Sequence, residues 1–271
     1  MPELPEVETT MRGILPNVLQ QKVEQVVVRQ YQLRWPIIAD LHQQLSGQVI
    51  TRVIRRAKYI LLMTKKGTLI IHLGMSGHLR VLQRGIPAKK HDHVDIIFKP
   101  GHMLRFHDPR RFGAMVWTSN DPNEHILLKK LGVEPLTDDF SADYLWERAQ
   151  GKKIAIKSFL MDNHVVTGVG NIYAAESLFK AGILPTLPAS SITKKRFSKL
   201  VRVVKSILQQ AITRGGTTLK DFIDSEGKPG YFSQQLKVYG REGLPCIKCD
   251  TELQLTRLGG RSTVYCPACQ S

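Results

Sequence analysis

The first residues with chemistry to offer are at the amino terminus, Met1-Pro2-Glu3-Leu4-Pro5-Glu6-Val7-Glu8. A small residue at position 2 lets the initiator methionine be removed, which leaves Pro2 with a secondary amine as the first atom of the protein. A terminal amine titrates near pH ~8 against ~10.4 for lysine, so a useful fraction is uncharged at neutral pH and can attack an electrophilic carbon. Glu3 follows directly, a carboxyl within reach of that amine. The other cluster is at the opposite end: all four cysteines fall in the last 26 residues, as Cys246-x2-Cys249-x16-Cys266-x2-Cys269. Two such pairs, each clipped by a tight turn, can present four thiolates tetrahedrally to one zinc ion. Two disulfides are the alternative, disfavoured by a reducing compartment and by the even spacing. The tail has too little apolar content to fold alone, so the predicted zinc is structural.

Positioning these groups requires a scaffold. Pro2 and Pro5 stiffen the terminus, and Val7, Met11, Ile14 and Val18 at helical spacing predict a helix starting near Pro5, whose positive end stabilises the acidic side chains beside the amine. From Lys22 to about Thr118 the pattern is of short β-branched strands: 23–28, 49–54, 59–63, 68–73, 78–82, 94–98, 103–106 and 114–117. Turn signals such as Lys66-Gly67, Pro100-Gly101 and Asp108-Pro109 separate them, which predicts a β-sandwich with the first helix at its edge. After Leu131–Asp139 the period becomes helical, over 142–150, 154–162, 171–181 and 193–213. The last segment carries Phe197, Leu200, Val201, Val204, Leu208, Ala211 and Ile212 on one stripe.

Between two of these helices lies Thr167-Gly168-Val169-Gly170-Asn171-Ile172-Tyr173. Its glycines allow a tight turn with exposed amides, and Asn171 can cap the following helix, so amides and dipole make an anion site; a purely structural turn fits the same residues. The glycine-rich stretch Gly215–Phe232, with Phe222, Tyr231 and Phe232, reads as a loop able to dock as a lid.

The balance of charge indicates the partner. A formal +16 over 271 residues, with pI about 9.8, points to a polyanion, and nucleic acid leads. No apolar run approaches the ~20 residues of a membrane span and no secretory signal is expected, so the chain is read as cytoplasmic with no membrane partner.

Taken with the start Pro2–Glu8, the Gly-Val-Gly-Asn-Ile-Tyr turn and the cysteine module, the chain resembles the bacterial formamidopyrimidine-DNA glycosylases over essentially its full length. The resemblance extends to Arg55-Arg56-Ala57-Lys58-Tyr59, His72-Leu73-Gly74-Met75-Ser76-Gly77, Lys90-His91-Asp92-His93, Asp108-Pro109-Arg110-Arg111-Phe112-Gly113 and Arg261–Cys266. It implies an α+β protein in three parts: a catalytic β-sandwich with an edge helix at 1–132, a helix-two-turn-helix domain with the lid loop at 133–232, and a zinc-ribbon-like β-hairpin module at 233–271. It also implies a monomer acting on double-stranded DNA with an oxidised base or abasic site, one structural zinc and no organic cofactor.

The implied activity is a bifunctional glycosylase and abasic-site lyase of base excision repair, specific for 8-oxoguanine opposite cytosine and for formamidopyrimidines. Pro2 is then the nucleophile, Glu3 its acid–base partner, Lys58 a second essential amine and Arg261 a phosphate grip that assists elimination. Met75, Arg110 and Phe112 are implied to fill the gap left by the everted nucleotide, with His91, Lys152 and Asn171 on phosphates. From periodicity alone Met75 and Phe112 read instead as core, and Lys58 as an ordinary phosphate contact. Two other functions fit parts of the chain: an endonuclease VIII-like glycosylase for oxidised pyrimidines, and a non-enzymatic zinc protein that binds DNA.

Overall fold

The opening glutamates start the first helix. Glu3 is the extended N-cap of α1 (Leu4–Val18); its N–H donates to the Glu6 carboxylate at 2.8 Å while its own carboxylate receives the Glu6 N–H, a reciprocal capping box. The helix therefore begins one residue before Pro5, which takes a first-turn position where its missing N–H costs nothing. This is a computed structural model describing residues 2–99, 101–216 and 236–271. Among the described residues the chain forms two units, one from 2–129 with 214–216, the other from 130–213 with 236–271.

In the first unit two four-stranded antiparallel sheets enclose a core. One runs β1 (Val23–Val28), β6 (Asp92–Phe98), β7 (His102–His107), β5 (His78–Gln83); the other runs β2 (Arg52–Arg56), β3 (Tyr59–Met63), β4 (Thr68–His72), β8 (Ala114–Thr118). Val7, Ile14 and Val18 of α1 join Val26, Ile60, Ile71, Val94, Leu104 and Phe106 in one apolar cluster. Each such side chain contributes about 1.5–3 kcal/mol, so the helix that starts at Glu3 is anchored rather than frayed. A short helix α2 (Leu41–Leu45), not anticipated, follows β1.

The strand expected at 49–54 forms three residues later. Lys22 bridges Val49, Gln20 N–H donates to the Ile50 carbonyl, and pairing with β3 begins only at Arg52. The β-branched run thus closes a loop, and the ladder uses Arg52-Val53-Ile54-Arg55-Arg56 instead. Across β6 and β7, Asp95 faces Arg105 and Asp92 faces His107. Arg105 is 3% exposed, and its guanidinium reaches Asp95 at 2.8 and 2.9 Å, Asp92 at 3.3 Å and the Pro87 carbonyl at 3.0 Å. Every buried charge there has partners, the condition under which burial is tolerated.

The second unit carries α3 (Ala142–Ala149), α4 (Ile156–Leu160), α5 (Asn171–Ala181), α6 (Lys194–Thr213) and a hairpin of β9 (Gln254–Leu258) with β10 (Arg261–Tyr265). The α6 stripe is buried as its spacing requires. Ala175 and Phe179 of α5 pack on Val238, Leu253, Val264 and two of the cysteines. Glu176 seals this contact by accepting the N–H groups of Lys237, Val238 and Tyr239 at 2.9–3.0 Å. The expected lid at 217–232 lies outside the described residues. Among the described residues no helix is long and apolar enough to cross a membrane.

Candidate active site and nucleic-acid interface

In the first unit the amino terminus is fixed from both sides. Pro2 is buried, and Glu3 is 2% exposed at the mouth of α1. Glu8, one turn further on, divides its carboxylate between two arginines: Arg12 Nε at 2.7 Å and Arg55 Nε at 2.8 Å. Arg55 also donates to the Ala57 carbonyl at 3.0 Å, inside the β2–β3 turn where Ala57 adopts φ +54°. Lys58 follows on that turn, 8% exposed. One ion pair therefore joins α1, which follows Pro2 and Glu3, to the turn that carries Lys58. The Tyr59 ring, next in sequence, lies 4.9 Å from His72.

Met75 and Phe112 are surface residues, 37% and 43% exposed, so the core reading that periodicity favours does not hold for either. Their turns touch through glycine. A side chain at Gly74 (φ +69°) would stand 2.5 Å from Gly113 N and 2.6 Å from the Phe112 carbonyl carbon, and one at Gly113 would collide with Phe106 and the His72 carbonyl. Only with both glycines can an exposed methionine and an exposed phenylalanine sit on adjoining loops. The Arg110 guanidinium lies 4.8 Å from the Phe112 ring centroid, stacked as a cation on an aromatic face. Methionine, phenylalanine and arginine thus form one exposed group.

Beneath them is Asp108, fully buried and without an assigned role in the sequence reading. Its carboxylate accepts Gly113 N–H at 2.7 Å and the Ser76 hydroxyl at 3.4 Å. Its backbone N–H donates to the His91 carbonyl at 3.0 Å, and its carbonyl partners His93 Nε2 at 2.7 Å. A single aspartate therefore holds the Met75 turn, the Phe112 turn and the His91 segment together. The His91 ring is half-buried with its edge to His107, centroids 5.9 Å apart, and His107 Nδ1 is 2.7 Å from Asp92.

The second unit has its own construction. Gly170, not Asn171, takes the N-cap position of α5, and Asn171 opens the helix itself. Its side chain is used elsewhere: Oδ1 accepts Lys157 Nζ at 2.6 Å and Nδ2 lies 3.5 Å from Ser262 Oγ. Lys157 is 1% exposed and also donates to the Ser262 carbonyl and to Thr263 Oγ1, both at 2.8 Å. A buried ammonium thus ties the glycine turn to β10 and fixes the Asn171 side chain at the first position of α5, the helix end that favours an anion. Sequence reasoning missed Lys157. The available signal was a lysine inside the apolar face of α4, among Ile156, Phe159 and Leu160.

Arg261 is exposed at the first position of β10, directly after Gly259 and Gly260 at φ +55° and +73°, the pattern of a type I′ hairpin turn. Lys152 is exposed on the turn after α3. The four cysteine Sγ atoms lie within 4.8 Å of one another, with separations of 3.4, 3.5 and 4.0 Å between three of the pairs. A tetrahedron with Zn–S bonds of ~2.3 Å has edges of about 3.8 Å, so the donor set fits a structural zinc ion. The N–H groups of Lys248 and Cys269 point at the sulfurs of Cys246 and Cys266, both at 3.4 Å, a second layer that stabilises thiolates.

Three family models match this chain. The formamidopyrimidine-DNA glycosylase N-terminal domain matches residues 1–115, the formamidopyrimidine-DNA glycosylase H2TH domain 131–223, and a zinc finger found in FPG and IleRS 243–271. The chain is 59% identical over 270 residues to the formamidopyrimidine-DNA glycosylase of Pseudomonas savastanoi pv. phaseolicola, covering 100% of both. Among solved structures it is similar to the MutM (Fpg) protein of Thermus thermophilus, with TM-score 0.89 and 36% identity over 99% of this chain and 98% of that one. It is equally similar to the Lactococcus lactis Fpg solved with DNA containing Fapy-dG, with TM-score 0.90 and 32% identity over 99% and 100%.

Proposed function

The chain belongs to the formamidopyrimidine-DNA glycosylase family, so it is a base-excision-repair DNA glycosylase with a structural zinc, and we propose that it removes oxidised purines and then cuts the abasic strand. Its substrates are 8-oxoguanine opposite cytosine and formamidopyrimidines in duplex DNA, in line with the Fapy-dG duplex bound by the Lactococcus lactis protein. The observation that carries this reading is the capping box at Glu3 and Glu6, which fixes a buried Pro2 at the start of an anchored helix.

Once Met1 is removed, the Pro2 nitrogen attacks C1′ of the everted nucleotide. The glycosidic electron pair leaves with the base, which takes up a proton, and the C1′–O4′ bond opens as Glu3 donates a proton to O4′. The resulting iminium draws electrons from C1′, acidifying the C2′ protons. Loss of one expels the 3′ phosphate by β-elimination, and a second elimination expels the 5′ phosphate, leaving a one-nucleotide gap with phosphate ends. Lys58 acts as the second amine near the reacting sugar. Arg261 holds the phosphates beside the lesion and assists the eliminations.

Eversion costs a few kcal/mol. Met75 and Phe112 offset it by filling the vacated space, and Arg110 hydrogen-bonds the orphaned cytosine. His91, Lys152 and Asn171 bind backbone phosphates, which fixes position without reading sequence. The work divides over a catalytic region at 1–132, a helical DNA-binding region at 133–232 and a zinc finger at 233–271, in a monomer located in the bacterial cytoplasm.

Borohydride reduction during incubation with lesion duplexes tests this. Covalent adduct should form preferentially with 8-oxoguanine opposite cytosine and vanish when a tag precedes Pro2. Preferential trapping on thymine glycol would favour the pyrimidine specificity, and no adduct on either duplex would sink the enzymatic mechanism.

A further inference from the structure

In the first unit the His91 ring stands in a corner made by two other histidines. Its centroid lies 5.9 Å from that of His107 at an interplanar angle of 86°, and 6.4 Å from that of His93 at 79°. Both walls are locked by hydrogen bonds: His107 Nδ1 is 2.7 Å from the Asp92 carboxylate, and His93 Nε2 is 2.7 Å from the Asp108 carbonyl. The His91 backbone is pinned as well, since its carbonyl accepts the Asp108 N–H at 3.0 Å. Among the described residues no hydrogen bond or ion pair occupies the His91 ring itself. Its orientation is set by contact while its nitrogens stay available to a ligand.

His107 has no role in the sequence reading, yet three strands combine to place it. It sits on β7 directly opposite Asp92 on β6 and His78 on β5, and the buried His78 ring lies against it with centroids 4.7 Å apart at 31°. Asp92 gives one oxygen to His107 and the other to the Lys89 N–H at 2.7 Å and Arg105 at 3.3 Å, while its own N–H returns to the Lys89 carbonyl at 3.0 Å. One carboxylate thus fixes both the turn that carries His91 and the ring against which His91 stands. A side chain ordered in advance loses less freedom on binding than one that must be ordered by its ligand. We propose that His107, set by Asp92 and backed by His78, is a positioning residue that holds the His91 ring in its phosphate-binding orientation before DNA arrives. This rests on the reading of His91 as a phosphate contact.

The test uses the full-length, zinc-loaded protein and a dye-labelled duplex carrying tetrahydrofuran as an uncleavable abasic site, followed by fluorescence anisotropy and thermal melting. His107→Asn keeps an N–H for Asp92 but removes the ring; His107→Phe keeps a ring but leaves the Asp92 oxygen unmatched. Stability and affinity should therefore run in opposite orders. His107→Asn should melt near wild type and bind about fivefold more weakly, whereas His107→Phe should melt lower and bind more tightly than His107→Asn. In a His91→Ala background, His107→Asn should cost no further affinity, because its effect passes through the His91 ring. Affinity that simply follows melting temperature, or a fivefold loss that persists without the His91 ring, would overturn the proposal. A weakened His91→Ala beside an unaffected His107→Asn would sink the positioning role alone, and wild-type affinity in His91→Ala would sink the phosphate contact and the positioning role together.

Discussion

The buried carboxylate of Asp108 accepts the Gly113 N–H at 2.7 Å, and that bond seats the Phe112 turn against the Met75 turn. Asp108→Ala leaves the amide without a partner and removes the hydroxyl contact to Ser76. It should cost about 1–3 kcal/mol of stability, and lower the excision rate on lesion duplex far more than affinity for undamaged duplex. Thermal unfolding and single-turnover excision measure the two; a variant that loses stability but excises normally would separate Asp108 from the wedge.

Glu8 and Arg55 join α1 to the Lys58 turn at 2.8 Å, with both side chains largely shielded. Glu8→Gln weakens a charge-assisted bond of about 1.5–3 kcal/mol and lets the turn drift from the terminus. Borohydride trapping should slow about tenfold or more while duplex affinity holds. An unchanged trapping rate would show that the ion pair is ornamental to the chemistry.

Lys157 orients Asn171 from behind and bonds β10 at Ser262 and Thr263. Lys157→Met keeps the volume but releases the Asn171 amide and leaves buried acceptors unmatched, a loss of about 1–3 kcal/mol. Affinity for lesion duplex should fall on the order of tenfold with zinc content unchanged. Wild-type affinity in this variant would remove Lys157 from the interface.

His72 makes stability depend on pH. Its Nδ1 accepts Gly74 N–H at 3.0 Å, so the folded ring is neutral, and burial, then Lys58 and Arg34, hold its pKa down to about 4 from 6.5. Between those values the unfolded chain binds the extra proton. The ring's contribution is complete above pH ~6.5, declines as pH falls towards 4, and levels off below, a change of up to ~3 kcal/mol. In His72→Asn, whose amide oxygen can still accept from Gly74, urea unfolding should show a shallower slope across this window. An identical slope would assign the acid sensitivity to other groups.

Zinc removal should act on one unit. Chelation frees the four thiolates and unfolds the β9–β10 hairpin that presents Arg261, since the module's core is small and includes Cys246 and Cys266. Trapping should fall while the sandwich survives, visible as protease-resistant fragments of the first unit. Simultaneous loss of both units would show that the metal stabilises more than its own module.

What was legible in the sequence was chemistry set by local order. Pro2 and Glu3 are adjacent, the CxxC pairs fix their own turns, and the α6 stripe is a matter of period, whereas the capping box of Glu3 with Glu6 came to light only in the structure. The tertiary structure alone made Met75 and Phe112 exposed neighbours, because the decisive facts are two glycines from distant turns and a buried aspartate between them. The Lys157 contacts to Ser262 and Thr263 span more than a hundred residues of chain, beyond the reach of any periodicity. Residue type and short spacing determine which groups can react and which turns can form. Which of them meet is decided by close packing, where one Cβ at Gly74 or one missing ammonium at Lys157 changes what lies beside what.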